Sequence, residues 1–363
     1  MEGPRCARLR ELEEVIELSN MVFRRSGEGD MGKEYPLLFS PRNCENLRII
    51  KEDGKIVSLV GMIFSDIIIL GNKIKVSMIG SVATDPDYRG RGYATLLMQD
   101  SILKSVQEGA DIMLISGGRG LYRRLGAINA GLYRTFHIDK AKTSSTDLSV
   151  RRAGKSDVSK LLKLMEMESV RFLRSYEELE ALLNCTTVVN RPGDVIIIEK
   201  DNNPLAYMAV QIPKRQEEIP HIKEIGGCRV AITDALYSVM KLYERDSILL
   251  DTIKGDSIEY IMNKSGIRGE DRGFMGTVKV INIKGLMKKL EPYFRRTLGE
   301  DFKSLTIEFG SPISIGYGDE RLDIEDIDIP ALLFGSTEKK IEMPDSLKTL
   351  FPIPLVDYGL NYT

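Results

Sequence analysis

Residues 77–99 read SMIGSVATDPDYRGRGYATLLMQ, and the rest of the chain is organised around them. The stretch opens on β-favouring, partly alternating residues and passes through Asp85-Pro86. A basic glycine turn follows, then an apolar-periodic helix. Arg89-Gly90-Arg91-Gly92-Tyr93-Ala94 therefore lies between a strand and a helix N-terminus, where backbone N–H groups lack intrahelical partners and the dipole is positive. Gly90 and Gly92 let a ligand approach the backbone, while Arg89 and Arg91 add charge. The combination is an anion cradle sized for a phosphate or pyrophosphate.

Three glycine-loop patterns compete for this segment. A P-loop needs a Gly-Lys-Ser/Thr ending, which is missing. The dinucleotide pattern G-x-G-x-x-G fails at Thr95, which stands in place of the third glycine. Arg-x-x-Gly-x-Ala fits, as Arg89, Gly92 and Ala94 after a strand ending Val82-Ala83-Thr84. This resembles the pyrophosphate loop of the GNAT superfamily of acetyl-CoA-dependent N-acetyltransferases. The plain alternative is a basic turn capping a surface helix.

At 363 residues the chain is too long for one core, and roughly 150 residues per domain predicts two to three domains. Hydrophobic residues make up 42% and charged residues 29%, ordinary for a soluble globular protein. The net charge of −2 gives no general drive towards nucleic acid or anionic membrane. No apolar run approaches the roughly 20 residues of a spanning helix, and Met1-Glu2-Gly3-Pro4-Arg5 does not read as a signal peptide. Cys6, Cys44, Cys185 and Cys228 form no C-x-x-C pair, and His137 and His221 are the only histidines, so no metal site is expected. Reduced thiols in a cytoplasmic protein are the expectation.

Working outward, the pattern predicts a strand at Arg5–Leu9, an amphipathic helix over residues 12–23 and a polar loop carrying Glu28, Asp30 and Glu34. Asn46–Lys51 and Ile56–Ile63 read as one hairpin about Asp53-Gly54. Ile67–Leu70 and Ile74–Ile79 read as a second about Gly71-Asn72. After the loop come a helix over Tyr93–Val106, a buried strand at Asp111–Ile115, Ser116-Gly117-Gly118-Arg119-Gly120, a short helix ending at Gly126, and a closing strand at Tyr133–Ile138. That order matches the GNAT fold.

Lys140–Asp147 reads as a linker, after which the order begins again. Strands at Val195–Ile198, Ala206–Ile212 and Ile222–Ile225 lead to a helix at Ala231–Leu242. The loop at the equivalent place, Gly226-Gly227-Cys228-Arg229-Val230-Ala231, loses the Arg-x-x-Gly-x-Ala register, so this repeat is expected to bind no acetyl-CoA. From Gly276 a small α+β module follows. It ends in the proline- and aromatic-rich Phe351–Thr363, a composition suited to docking rather than disorder.

Two GNAT-like units and a small α+β module resemble the enhanced-intracellular-survival (Eis-like) family of acetyltransferases. The resemblance implies an α+β, mixed-sheet fold in three parts: a catalytic domain over 1–145, a degenerate GNAT-like domain over 146–273, and a sterol-carrier-protein-like domain with a docking tail over 274–363. It implies acetyl-CoA as cosubstrate and a primary amine as acceptor, on a small molecule, an aminoglycoside-like compound or a lysine side chain. It also implies a homo-oligomer.

Acetyl transfer from a thioester to an amine requires loss of an amine proton, a steadied oxyanion and a protonated thiolate. In the resemblance, Val82, Ala83 and Thr84 form the splayed strand that pairs with pantetheine. Arg89, Gly90, Arg91, Gly92, Tyr93, Ala94 and Thr95 hold the pyrophosphate, and Ser116 and Gly117 line the other side. Tyr122, four residues before Gly126, stands where GNAT enzymes carry the tyrosine acid; its other reading is a core tyrosine. The family offers the chain-end carboxylate, here that of Thr363, as base. Glu28, Asp30, Tyr35 and Phe39 are the candidate acceptor-binding residues, although exposed acids on a loop often only solvate it. A covalent acetyl-cysteine route lacks a Cys–His pairing near the loop. The rival function is a non-catalytic acyl-CoA-binding or lipid-carrier protein.

Overall fold

The computed structural model describes residues 1–24, 29–215 and 217–362. They form two compact units, one of residues 1–131 with 275–353, the other of 132–274 with 354–362.

The first unit begins with strand β1 (Glu2–Cys6), helix α1 (Leu12–Phe23) and the short α2 (Met31–Glu34). The meander β2 (Leu47–Glu52), β3 (Lys55–Ile69) and β4 (Asn72–Thr84) follows. Its turns fall at Asp53-Gly54 and Leu70-Gly71, all four residues left-handed. The two hairpins expected from sequence are thus one meander. Residues 56–63 and 67–69 belong to a single strand, because Ser65 and Asp66 pair with Val76 and Lys75 rather than turning. Helix α3 (Tyr93–Gln107), β5 (Ile112–Ile115) and α4 (Gly120–Arg124) complete this part of the chain. Leu97 and Met98 of α3 enter a core with Val57, Val60, Ile79, Met113 and Ile115.

The second unit opens with β6 (Leu132–Asp139), β7 (Ser149–Arg152), α5 (Val158–Glu166), β8 (Val170–Phe172) and α6 (Tyr176–Cys185). Then come β9 (Thr187–Val188), β10 (Arg191–Lys200), β11 (Asn203–Gln211), β12 (His221–Gly227) and α7 (Arg229–Leu242). It ends with β13 (Ser247–Ile253), α8 (Ile258–Lys264) and β14 (Gly269–Gly273). The sheet runs β14-β6-β13-β12-β11-β10-β7, with β9 on β10. Ile232, Ala235, Leu236 and Val239 of α7 pack on Ile196, Met208, Val210 and Leu250.

The chain then returns to the first unit as β15 (Thr277–Val280), α9 (Ile283–Leu298), β16 (Leu305–Glu308), β17 (Ile313–Tyr317), β18 (Glu320–Ile324) and α10 (Ile329–Phe334). β15 lies antiparallel on β5, so the first sheet carries the order β1-β2-β3-β4-β5-β15. This corrects the closing strand expected at Tyr133–Ile138. That segment is a strand, but its partners are β13 and β14 of the second unit. Strand character is a local property, whereas the edge a strand joins is decided by distant packing. β16–β18 form a separate three-stranded antiparallel sheet.

Both large sheets share one layout. An antiparallel meander leads to a parallel pair joined through a helix: β4–α3–β5 in the first unit and β12–α7–β13 in the second. Among the described residues no helix is long and apolar enough to cross a membrane.

Candidate active site

The site begins where β4 and β5 part. Their parallel pairing runs from Val76↔Ile112 to Ile79↔Ile115 and stops. Ser116 closes the fork, donating its N–H and its hydroxyl to the Ile79 carbonyl, both at 3.0 Å. Beyond it, β4 continues on β3 alone, past a bulge at Ser81. Gly80 and Val82 pair with consecutive residues, Gly61 and Val60, and Ser81 is left over at φ +49°. Its hydroxyl lies 2.5 Å from that of Ser19 in α1.

Hydrogen-bond alternation fixes which way the next residues face. Asp85 N–H bonds the Val57 carbonyl, so the backbone of Ala83 faces β3 while that of Val82 and Thr84 faces the fork. Two arginines confirm this. Arg119 Nη1 donates to Val82 O at 3.3 Å, and Arg89 Nε to Thr84 O at 3.4 Å.

The loop that follows is pinned at Asp85, which is buried, pairs with Lys55 at 2.6 Å and accepts the Asp87 N–H. The Lys55 contact holds its carboxyl below the usual range. Gly90 and Gly92 take φ +78° and +81°, conformations that L side chains reach only with strain. A Cβ at either position would meet nothing within 4 Å. The glycines thus serve backbone conformation and leave open space, and Gly92 caps α3, whose first N–H groups lack helical partners. Arg91 pairs with Glu52 at 2.9 Å and lies over the Tyr88 ring at 4.8 Å. It is half-exposed, so water screens the ion pair and an anion can recruit the arginine. The Tyr93 phenol is pushed up, chiefly by its hydrogen bond to Glu52, and stays protonated.

These elements enclose a cleft of about 490 Å³. Val82, Thr84 and all seven residues 89–95 line it, together with Val22, Phe23, Tyr88, Arg119 and Leu121. Its charged lining residues are Arg89, Arg91 and Arg119, which suits an anionic ligand. Sequence reasoning missed Val22, Phe23, Tyr88, Arg119 and Leu121 in the lining, and the left-handed Ser81 on β4. Arg119 stood in a glycine-rich turn and Val22-Phe23 ended an apolar helix face before a polar loop, signals that were readable. A left-handed serine leaves no trace in sequence.

The other candidates fall elsewhere. Ser116 and Gly117 stand at the end of β5, and Thr277 of β15 donates to Gly117 O at 3.3 Å. Tyr122 is buried at 2% exposure in α4, with its ring 3.6 Å from where a Gly117 Cβ would be. It is not among the residues lining the cleft, although Arg119 and Leu121 of the same turn are. Asp30 caps α2 by accepting the Gly32 N–H at 2.9 Å. Tyr35 and Phe39 are buried and do not line the cleft. Arg24 holds Glu34. Glu28 and Thr363 lie outside the described residues.

The equivalent place in the second unit is filled. A Cβ at Gly226 would overlap the Tyr207 ring, and one at Gly227 the Leu205 carbonyl. Glu168 accepts the Gly227 N–H at 2.7 Å and is bound by Arg229 at 2.9 and 2.6 Å. Asp256 takes the other side of Arg229. An internal carboxylate thus answers the turn before α7, at the Gly227 N–H and the Arg229 guanidinium.

Residues 4–128 match the family model of the acetyltransferase (GNAT) domain. Across the whole chain the fold is similar to Eis1 from Mycobacterium abscessus, with a TM-score of 0.64, 10% identity and 100% of each chain covered. A GCN5-related N-acetyltransferase from Anabaena variabilis superposes with a TM-score of 0.61 at 13% identity, covering 88% of this chain and 84% of its own. A probable N-acyltransferase from Enterococcus faecalis gives the same values. No curated protein matches the chain by sequence. At these identities the likeness establishes the fold, a mixed α+β GNAT fold, and the domain match is confined to the part of the chain that builds the cleft. Among the described residues no group of His, Cys, Asp and Glu could hold a metal ion.

Proposed function

We propose that this protein is an acyl-CoA-dependent N-acyltransferase that uses acetyl-CoA and passes acetyl directly to a primary amine. One observation carries the reading: the left-handed Gly90 and Gly92 open the N-terminus of α3 beside Val82 and Thr84, whose carbonyls face away from β3 and accept from Arg119 and Arg89, in one cleft lined by arginines. The pyrophosphate would sit on the loop N–H groups with Arg89 and Arg91. The pantetheine amides would exchange with Arg119 and Arg89 for the Val82 and Thr84 carbonyls.

In this reading Tyr122 is the acid that protonates the departing thiolate, the role the family resemblance gives a tyrosine four residues before Gly126. Support comes from its position on the turn that also supplies Arg119 and Leu121 to the cleft. The base is the carboxylate of Thr363, assigned on the family resemblance; removing Asn361–Thr363 should lower kcat and spare acetyl-CoA binding. On the acceptor side we place the α1–α2 segment, with Glu28, Asp30, Tyr35 and Phe39 as the sequence suggests. Val22 and Phe23 are its contribution to the cleft wall.

The three-part Eis-like organisation belongs to the same reading, supported by the whole-chain likeness and by the separate sheet β16–β18 that follows α9 in the C-terminal part of the chain. So do a cytoplasmic location and self-association. Light scattering showing only monomer at micromolar concentration would remove the last.

The deciding experiment is thiol release from acetyl-CoA across polyamine, aminoglycoside and lysine-peptide acceptors. Acceptor-dependent release supports the enzyme. Tight acyl-CoA binding without release on any acceptor supports the carrier alternative.

A further inference from the structure

The second unit, whose anion site is closed by Glu168, holds something else: the segment Pro354–Tyr362 of its own chain. Tyr133 donates its hydroxyl to the carbonyls of Leu355 and Val356, at 3.2 and 3.1 Å. Arg272 pairs with Asp357, and the Tyr358 ring lies 4.8 Å from that of Phe274. Val189 N–H bonds the Gly359 carbonyl at 2.9 Å. Leu360 N–H bonds Glu224 Oε2 at 2.9 Å, and Asn361 Oδ1 accepts from Arg174 Nε at 2.6 Å.

These partners are built into the unit before the segment is counted. Glu224 is gripped by Arg174 at 2.7 and 2.9 Å and by the Tyr207 hydroxyl at 2.8 Å. The Arg174 side chain is 2% exposed. Burial opposes ionisation of Glu224, yet Arg174, the Leu360 N–H and Tyr207 together keep it below its ordinary value. Gly359 is left-handed, at φ +50°, and a Cβ there would overlap the Glu224 carboxylate. A segment that merely covered a core would be held by apolar packing. Here, beside the buried Leu355, Val356, Tyr358 and Leu360, Arg272 meets a charge, Glu224 meets both a missing side chain and a backbone N–H, and Arg174 meets an amide; the segment adds no strand to the sheet. Buried charges left without such partners are strongly destabilising, so the match is selective.

We propose that the second unit is a peptide receptor whose ligand is the chain's own Pro354–Tyr362, recognised at Asp357, Gly359 and Asn361. Peptide holding is then what this unit does in place of cofactor binding. The proposal does not depend on the acyl-transfer reading.

Hydrogen exchange followed by mass spectrometry on the full chain tests it, with Gly359→Ala as the perturbation. Residues 354–362 should exchange at least about tenfold faster than in wild type, with the strands of both units still protected. A fluorescein-labelled synthetic peptide of residues 354–362 should bind this variant and not wild type, whose receptor is already occupied. The same peptide carrying alanine for glycine should bind neither. Should Gly359→Ala not fold, Asn361→Ala removes one acceptor and leaves the backbone alone, and the same tenfold acceleration is expected. Wild-type protection of the segment in the variants, or a peptide that fails to bind protein whose segment has been released, overturns the proposal.

Discussion

Gly92 is the position where loop conformation and ligand charge can be separated. At φ +81° any L residue pays the left-handed strain, about 1–2 kcal/mol. Space is not the obstacle, since a Cβ meets nothing within 4 Å. Both Gly92→Ala and Gly92→Glu should therefore fold, with Tm lowered by roughly 2–8 °C. They should differ in binding. A carboxylate about 4 Å from one pyrophosphate charge, at an effective dielectric of about 20, costs about 4 kcal/mol. That corresponds to an affinity about a thousandfold weaker for the glutamate variant than for the alanine variant. Calorimetric titration with acetyl-CoA at low salt, where screening is least, measures the difference. A folded Gly92→Glu protein whose Kd lies within about threefold of the alanine variant would falsify the pyrophosphate assignment.

Titration of wild type should give one acetyl-CoA site per chain, because Glu168 and Arg229 close the start of α7; two sites would overturn that account. Tyr122→Phe should lower kcat by about 10²–10⁴-fold with acetyl-CoA affinity kept, and an unchanged kcat would leave Tyr122 a packing residue. Stability should also report Glu11, which Arg5 holds at about 2, below the model-peptide 4.5. A carboxyl depressed in the folded state contributes above its unfolded value and loses that contribution as pH falls through its folded one. Chemical denaturation of wild type should therefore weaken between about pH 4.5 and 2, and Glu11→Gln should flatten that slope. An identical slope in the variant would assign the acid limb to other carboxylates.

What the sequence made legible was local. The run Arg89–Ala94 could be read because glycines at two left-handed positions and a following apolar period are written in adjacent residues. Docking of the C-terminal segment was legible from its prolines and aromatics, and the structure buries Tyr358 and Leu360 accordingly. What stayed hidden was long-range. Tyr133–Ile138 announces a strand but not that it will join β13, and Thr277–Val280 does not reveal that it will complete the sheet at β5. Tyr35 and Phe39 read as candidate pocket walls, and the structure buries both of them off the lining of the cleft.

The two loops show why motif and site are different things. Both strand–loop–helix units present a helix start with its free N–H groups, and that geometry alone attracts a negative charge. In the first unit the loop reserves the place. Gly90 and Gly92 leave space, and the half-exposed Arg91 rests on Glu52, which an incoming anion can replace. In the second unit Arg229 is fixed between Glu168 and Asp256, both within 2.7 Å, and Glu168 also takes the Gly227 N–H. An arginine and glycines stand there too, but the arginine is paired on both sides. Where the Arg-x-x-Gly-x-Ala register is absent, a carboxylate remote in the chain thus answers the loop's N–H and its arginine. With that place filled, the unit is free to use the rest of its sheet for Pro354–Tyr362, and Arg174 and Glu224 are the residues on which that second use rests.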